Sequence, residues 1–162
     1  QDGGKSWAEV TCTNLPIKTE NDFFEGLAVI KTSQEQAILP VSAFSGDKSY
    51  VYFCGSSDGG QTWAYLSEIE GAHRAVSFAD ATNGLALTED ALWRTTDGGQ
   101  TWAKLDAQLP AGESVVSVQL LPGDAAYLLT WKSGDGEDDN FSLYRSADAG
   151  VTWDQVQAVI EE

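Results

Sequence analysis

Methionine is absent from this chain, histidine occurs once, cysteine twice, and lysine and arginine together number 9 in 162 residues. Each shortage excludes something. Against 25 aspartates and glutamates the 9 basic residues leave a net charge of −16, which repels a nucleic-acid backbone and an anionic lipid surface alike. Nucleic acid is therefore excluded as a partner. No stretch nears the roughly 20 apolar residues that a helix needs to cross a bilayer, and the first residues carry no basic-then-apolar leader. No membrane insertion is expected. His73 stands alone, with no cysteine at ligand spacing, so the usual transition-metal ligand sets are missing. No Gly-x-Ser-x-Gly elbow marks a nucleophile, and no phosphate-cradling loop leads into a helix. Catalytic residues, cofactor and metal are all assigned as none. Cys12 and Cys54 are compatible with a disulfide in an oxidising compartment and equally with two buried thiols.

What the chain does have is a repeat. Ser56 to Trp63 reads Ser-Ser-Asp-Gly-Gly-Gln-Thr-Trp, Thr95 to Trp102 reads Thr-Thr-Asp-Gly-Gly-Gln-Thr-Trp, and Ser146 to Trp153 reads Ser-Ala-Asp-Ala-Gly-Val-Thr-Trp. Gln1 to Trp7 is the back half of a fourth copy, with Asp2, Gly4 and Trp7 in the corresponding places. The chemistry of each position is that of a hairpin corner. The aspartates Asp58, Asp97 and Asp148 accept backbone N–H bonds, Gly60, Gly99 and Gly150 supply positive φ, and the hydroxyls of Ser56, Thr62, Thr95, Thr101, Ser146 and Thr152 tie their own backbone. Trp63, Trp102 and Trp153 then bury a ring at the start of the next strand.

These residues resemble the Asp-box, or BNR repeat, of sialidases, sortilin-type receptors, some glycoside hydrolases and photosystem II assembly factor-like proteins. The resemblance implies an all-β propeller of four-stranded antiparallel meanders, with the box as a structural corner away from any catalytic mouth. Ala72 to Leu105, with Phe-Ala-Asp-Ala-Thr-Asn-Gly-Leu-Ala-Leu leading into the second box, looks most like the photosystem II assembly and stability factor-like propellers.

Short strands bounded by Gly, Asp, Asn and Pro fill the segments between boxes. The expected blades are 22–70, 72–107 and 112–160, with 1–12 as the outer strand of a preceding blade, all within one propeller domain or fragment over 1–162. Their strands are expected at 26–32, 36–43, 49–54 and 62–69, at 75–78, 84–88, 91–95 and 101–105, and at 115–121, 125–131, 141–145 and 152–159. Since propellers close with about four blades or more, three full blades leave an incomplete ring. The expectation is the C-terminal part of a longer propeller, with an unusual open arc or completion by a second chain as the alternatives. Open blade faces further imply chain-to-chain contact, and so a homo-oligomer.

Chemistry in the loops is sparse. Of the three arginines, Arg94 and Arg145 fall at matching repeat positions, leaving only Arg74 unexplained, and the Arg-Ile-Pro type signature of sialidases is absent. Glu20, Asp22, Glu25, Glu89 and Asp90 are loop acids without apolar neighbours to set a pKa apart. Asp135, Glu137, Asp138 and Asp139 form the calcium candidate, without EF-hand spacing. Asn140-Phe141-Ser142 matches a glycosylation acceptor, and Trp131, Tyr50 and Tyr52 are candidates for stacking on a sugar or peptide. The reading is a non-catalytic binding or scaffold module with a protein partner, working outside the cytoplasm. The alternative is part of a carbohydrate-active enzyme or a glycan-binding propeller.

Overall fold

The computed structural model describes residues 9–16, 22–132 and 140–157. Among them there is no helix, and the strands fall into three sheets. The first blade holds β1 (Cys12–Thr13), β2 (Phe23–Gly26), β3 (Ile30–Lys31), β4 (Ala37–Ser45), β5 (Lys48–Ser56) and β6 (Trp63–Glu70). The second holds β7 (His73–Phe78), β8 (Gly84–Thr88), β9 (Leu92–Thr95) and β10 (Ala103–Lys104). The third holds β11 (Ser114–Leu120), β12 (Ala126–Lys132), β13 (Asn140–Ser146) and β14 (Asp154–Gln155). The second and third are plain meanders in which sequence neighbours pair.

Tight turns follow from local chemistry. Between β4 and β5 a two-residue turn places Gly46 at φ 61°, and Ser45 pairs with Lys48 across it. Between β7 and β8 the Asp80 carboxylate accepts the backbone N–H groups of Thr82 (2.7 Å) and Asn83 (2.8 Å), which closes the loop before Gly84. The expected first strand of the first blade is replaced by β2 and β3 with a gap between them. Pro40 explains the gap: Leu27 donates to its carbonyl at 3.0 Å, but proline has no N–H to return the bond.

The blades stack face to face as successive sheets of an incomplete propeller. Alternation along each strand sends one set of side chains forward and the next set back. Ile38, Val51, Phe53 and Ile69 of the first blade meet Val76, Phe78, Ala86, Trp93 and Trp102 of the second. Leu85, Leu87 and Leu92 of the second blade meet Val118, Leu120, Ala126 and Leu128 of the third. Burying one such leucine contributes about 1.5–3 kcal/mol, so these two seams hold the arc together. Ser67 Oγ donates to the Gly99 carbonyl across the first seam, and Leu120 N–H donates to Ser77 Oγ at 3.0 Å across the second.

The chain before β2 supplies a fifth ribbon to the first blade. β1 runs parallel to β6, with Cys12 opposite Trp63 and Thr13 opposite Ala64, and Cys12 is disulfide-bonded to Cys54 of β5. Cys12, Leu15 and Phe24 pack over Tyr50, Tyr52 and Trp63 on the outer face of this blade. Tyr50 and Tyr52 are therefore buried, which removes them as surface stacking residues. The reason is that β5 is covered on both faces, one by the second blade and the other by this segment.

Candidate binding groove

The three Asp-box corners share one wiring. In the first, Asp58 accepts from Ser56 Oγ (2.8 Å), from the backbone N–H of Gln61 (2.9 Å) and Thr62 (3.0 Å), and from Thr62 Oγ1 (2.6 Å). Gly60 N–H donates to Ser56 Oγ at 2.9 Å, and the Trp63 indole N–H to the Gly60 carbonyl at 3.0 Å. In the third, Asp148 accepts from Ser146 Oγ (2.7 Å), Thr152 N–H (2.9 Å) and Thr152 Oγ1 (2.6 Å), and Trp153 donates to the Gly150 carbonyl at 3.0 Å. These donors, the Thr62 and Thr152 hydroxyls first, hold the Asp58 and Asp148 carboxyls down to about 2. At Asp97 burial pushes the other way, and bonds from Thr101 and Thr95 outweigh it and keep the carboxyl low. With its lone pairs spent on the chain that folds around it, each aspartate serves as a corner post.

The second corner departs at one atom. Its Gly99 carbonyl takes the Ser67 hydroxyl from the first blade, and the Trp102 indole nitrogen is buried without a hydrogen-bond partner. Trp102 instead stacks on Phe53, with ring centroids 4.5 Å apart, and meets Phe78 edge-on at 6.0 Å. This indole has exchanged a corner bond for an inter-blade contact.

Antiparallel register puts all three boxes at one end of the blades: Thr95 lies opposite Gly84, and Ser146 opposite Ala126. The other end, where β7 and β11 begin and β8 and β12 finish, opens into a groove of about 750 Å³ between the second and third blades. Leu87, Pro110, Val116 and Trp131 give it apolar walls, and His73 and Glu113 add polar groups. Val116 reaches this mouth because the β11–β12 pairing skips it, with Val115 opposite Thr130 and Ser117 opposite Leu129. Glu113 is clamped by the Thr130 hydroxyl and by the Tyr144 hydroxyl at 3.2 Å. Burial, together with this carboxylate, pushes the Tyr144 hydroxyl up, so it stays protonated and keeps donating. Burial also lowers the His73 pKa below the ordinary 6.5, leaving the ring neutral at pH 7. The arrangement offers an apolar slot with fixed polar edges, suited to holding a side chain and its backbone.

The sequence-predicted residues are dispersed by the fold. Trp131 lines the groove, and Arg74 and Glu89 sit at its edge as an exposed ion pair of 3.4 Å. Arg94 lies at the Asp-box end and pairs with Asp124 at 3.0 Å, so Arg74 and Arg94 are at opposite ends of the second blade. Asp22 and Glu25 belong to the first blade, and Asp90 to the β8–β9 turn. Asp2, Gly4, Trp7, Glu20 and the calcium candidates Asp135, Glu137, Asp138 and Asp139 lie outside the described residues, among which no cluster of three or more metal-ligating His, Cys, Asp or Glu occurs. Glu113, the groove's fixed carboxylate, carried no signal in the sequence. Its partners Thr130 and Tyr144 are 17 and 31 residues away.

Comparison with known proteins agrees with this architecture. Solved structures that share the fold include two of YCF48. YCF48 from Cyanidioschyzon merolae matches with a TM-score of 0.59 and 17% identity, over 86% of this chain and 38% of that one. A structure described as YCF48 bound to D1 peptide matches with a TM-score of 0.52 and 19% identity, over 86% of this chain and 45% of that one. The chain thus spans less than half the length of either. No curated protein matches it. The family model described as Sortilin, neurotensin receptor 3 matches residues 51–162, more than half of the sequence and all of the second and third blades. The chain belongs to the Sortilin-Vps10 family of Asp-box propellers.

Proposed function

We propose that this chain is a non-catalytic binding module that holds a segment of a protein partner in the groove between its second and third blades. The groove carries the reading: an apolar slot built around Trp131 and Val116, with Glu113 fixed at its edge, at the end of the blades that the corners leave free. The similar YCF48 structure holds a peptide, which supports a peptide as the ligand class for this fold. The engagement of Arg74 and Arg94 with carboxylates at separate ends also favours a binding module over an enzyme that gathers arginines on one substrate. A site of action outside the cytoplasm is part of the proposal, and the Cys12–Cys54 disulfide supports it, since such bonds persist in oxidising compartments.

The test is a display selection of random peptides on the oxidised chain, with the same selection run on Trp131→Ala and Val116→Asp, and a glycan array in parallel. Peptides that bind the native chain and lose about tenfold or more in affinity with either variant, equal to about 1.4 kcal/mol, support the reading. Binders indifferent to both substitutions, or glycans alone, overturn it.

A further inference from the structure

The groove between the second and third blades holds a carboxylate that is only half used. Glu113 accepts the Thr130 hydroxyl on one oxygen and the Tyr144 hydroxyl, at 3.2 Å, on the other. An ionised carboxylate offers about four acceptor sites, so about two are left open here. The corner aspartates are different, since Asp58 takes four hydrogen bonds from its own corner. The other ionisable groups along the groove are His73, Arg74 and Glu89. Arg74 is engaged by Glu89 at 3.4 Å, His73 is neutral at pH 7, and among the described residues no lysine or arginine pairs with Glu113. The slot therefore carries one negative charge without a counter-charge. Register sets that charge beside the apolar wall: Ser114 lies opposite Trp131 and Val115 opposite Thr130, so the hydroxyl that holds Glu113 belongs to the neighbour of Trp131 on β12.

We infer that the partner segment is anchored by a basic side chain, arginine or lysine, whose stem lies on Trp131 and Val116 and whose cationic head meets Glu113. This rests on the groove reading proposed above and adds the chemistry of the ligand to it. Arginine and lysine carry an apolar stem and a charged tip, which matches an apolar wall with a carboxylate at its edge. The face of the Trp131 ring attracts a cation as well. A hydrogen bond between ionised partners is roughly twice as strong as one between neutral groups, so a basic head uses the open acceptor sites better than an amide or hydroxyl does. An apolar or acidic segment would shut water out of the slot and leave Glu113 without a counter-charge, which opposes its binding. The net charge of −16 acts in the same direction at long range, drawing a cationic segment in and repelling an acidic one.

Random peptides with capped ends, selected on the oxidised chain, test the inference. The binders are expected to share an arginine or lysine. Each is then remade with citrulline, the uncharged analogue of arginine, at that position, and is expected to lose about tenfold or more in affinity for the native chain. Glu113→Gln keeps an acceptor for Thr130 and Tyr144 but removes the charge, and is expected to shrink the gap between the arginine and citrulline peptides to about threefold or less. Asp47→Asn, an exposed acid in the β4–β5 turn of the first blade, is expected to leave the gap as it is, which separates the groove carboxylate from the general field. Near-UV circular dichroism checks each fold, and the citrulline comparison on the native chain stands if Glu113→Gln unfolds. Binders that Trp131→Ala weakens but that share no basic residue, or that keep their full gap in Glu113→Gln, overturn this inference and leave the groove reading intact. Binders indifferent to Trp131→Ala and Val116→Asp overturn both.

Discussion

Breaking the Cys12–Cys54 bond removes the strap that holds β1 and Leu15 over the first blade, and its cost can be worked from the fold. The bonded residues are 42 apart in sequence. In the chain-entropy model a loop of that size costs the unfolded chain about 13 cal/mol/K, or about 4 kcal/mol at 25 °C. For a domain of this size each kcal/mol moves Tm by about 2–4 °C, so Cys12→Ser is expected to melt about 8–16 °C below the oxidised native chain. Cys12 is the partner to change, because Cys54 is fully buried and its substitution would add a packing defect. What holds β1 afterwards is the two-residue pairing with β6, the Thr13 hydroxyl on the Trp63 carbonyl at 3.1 Å, and Leu15 packing. Limited proteolysis is therefore expected to cut between residues 9 and 16 in Cys12→Ser and in the reduced native chain, and to spare the oxidised one. Thermal melts with and without reductant read the global term. A drop below about 3 °C, with the segment still protected, would refute the account of this bond as a constraint on the unfolded chain and a strap on the folded one.

Three further outcomes follow from other parts of the fold. Gly98→Ala is expected to destabilise by about 2–4 kcal/mol and Gly59→Ala by about 1 kcal/mol. Both have positive φ, but an added Cβ would come within 2.8 Å of the Ala81 carbonyl at Gly98 and meet nothing within 4 Å at Gly59; urea denaturation of the pair reads the difference. Leu92→Ala empties the seam between the second and third blades and is expected to cost about 2–5 kcal/mol by the same assay, with loss of near-UV signal. Acid acts in two windows. The His73 pKa is lowered by burial, so the unfolded chain binds the proton more readily and stability falls as pH drops below about 6.5, an effect His73→Gln abolishes. The Asp58 and Asp148 carboxyls sit at about 2, below the ordinary 3.8, so their contribution is present above about 4 and lost between 4 and 2; melts across that range are expected to flatten in Asp58→Asn.

The corners were legible in the sequence because their chemistry is local. Every bond of the Asp58 corner spans four residues or fewer, so residue order alone specifies it. The β7–β8 turn is local in the same way, since the bonds from Thr82 and Asn83 to the Asp80 carboxylate span three residues or fewer. β1 was not legible, since a two-residue strand pairing in parallel with a partner about 50 positions away leaves no periodic trace. The burial of Tyr50 and Tyr52 was equally hidden, because a strand apolar on both faces does not say what will cover each one. The groove depends on a skipped residue at Val116 and on Glu113 meeting Tyr144 from another strand, both products of assembly.

The binding account is tested most directly by mapping backbone amide shifts of the labelled chain as a selected peptide is titrated in. The account predicts the largest changes at His73, Glu113, Val116 and Trp131, with the Asp58, Asp97 and Asp148 corners unmoved. Changes concentrated at those corners, with the groove silent, would contradict it.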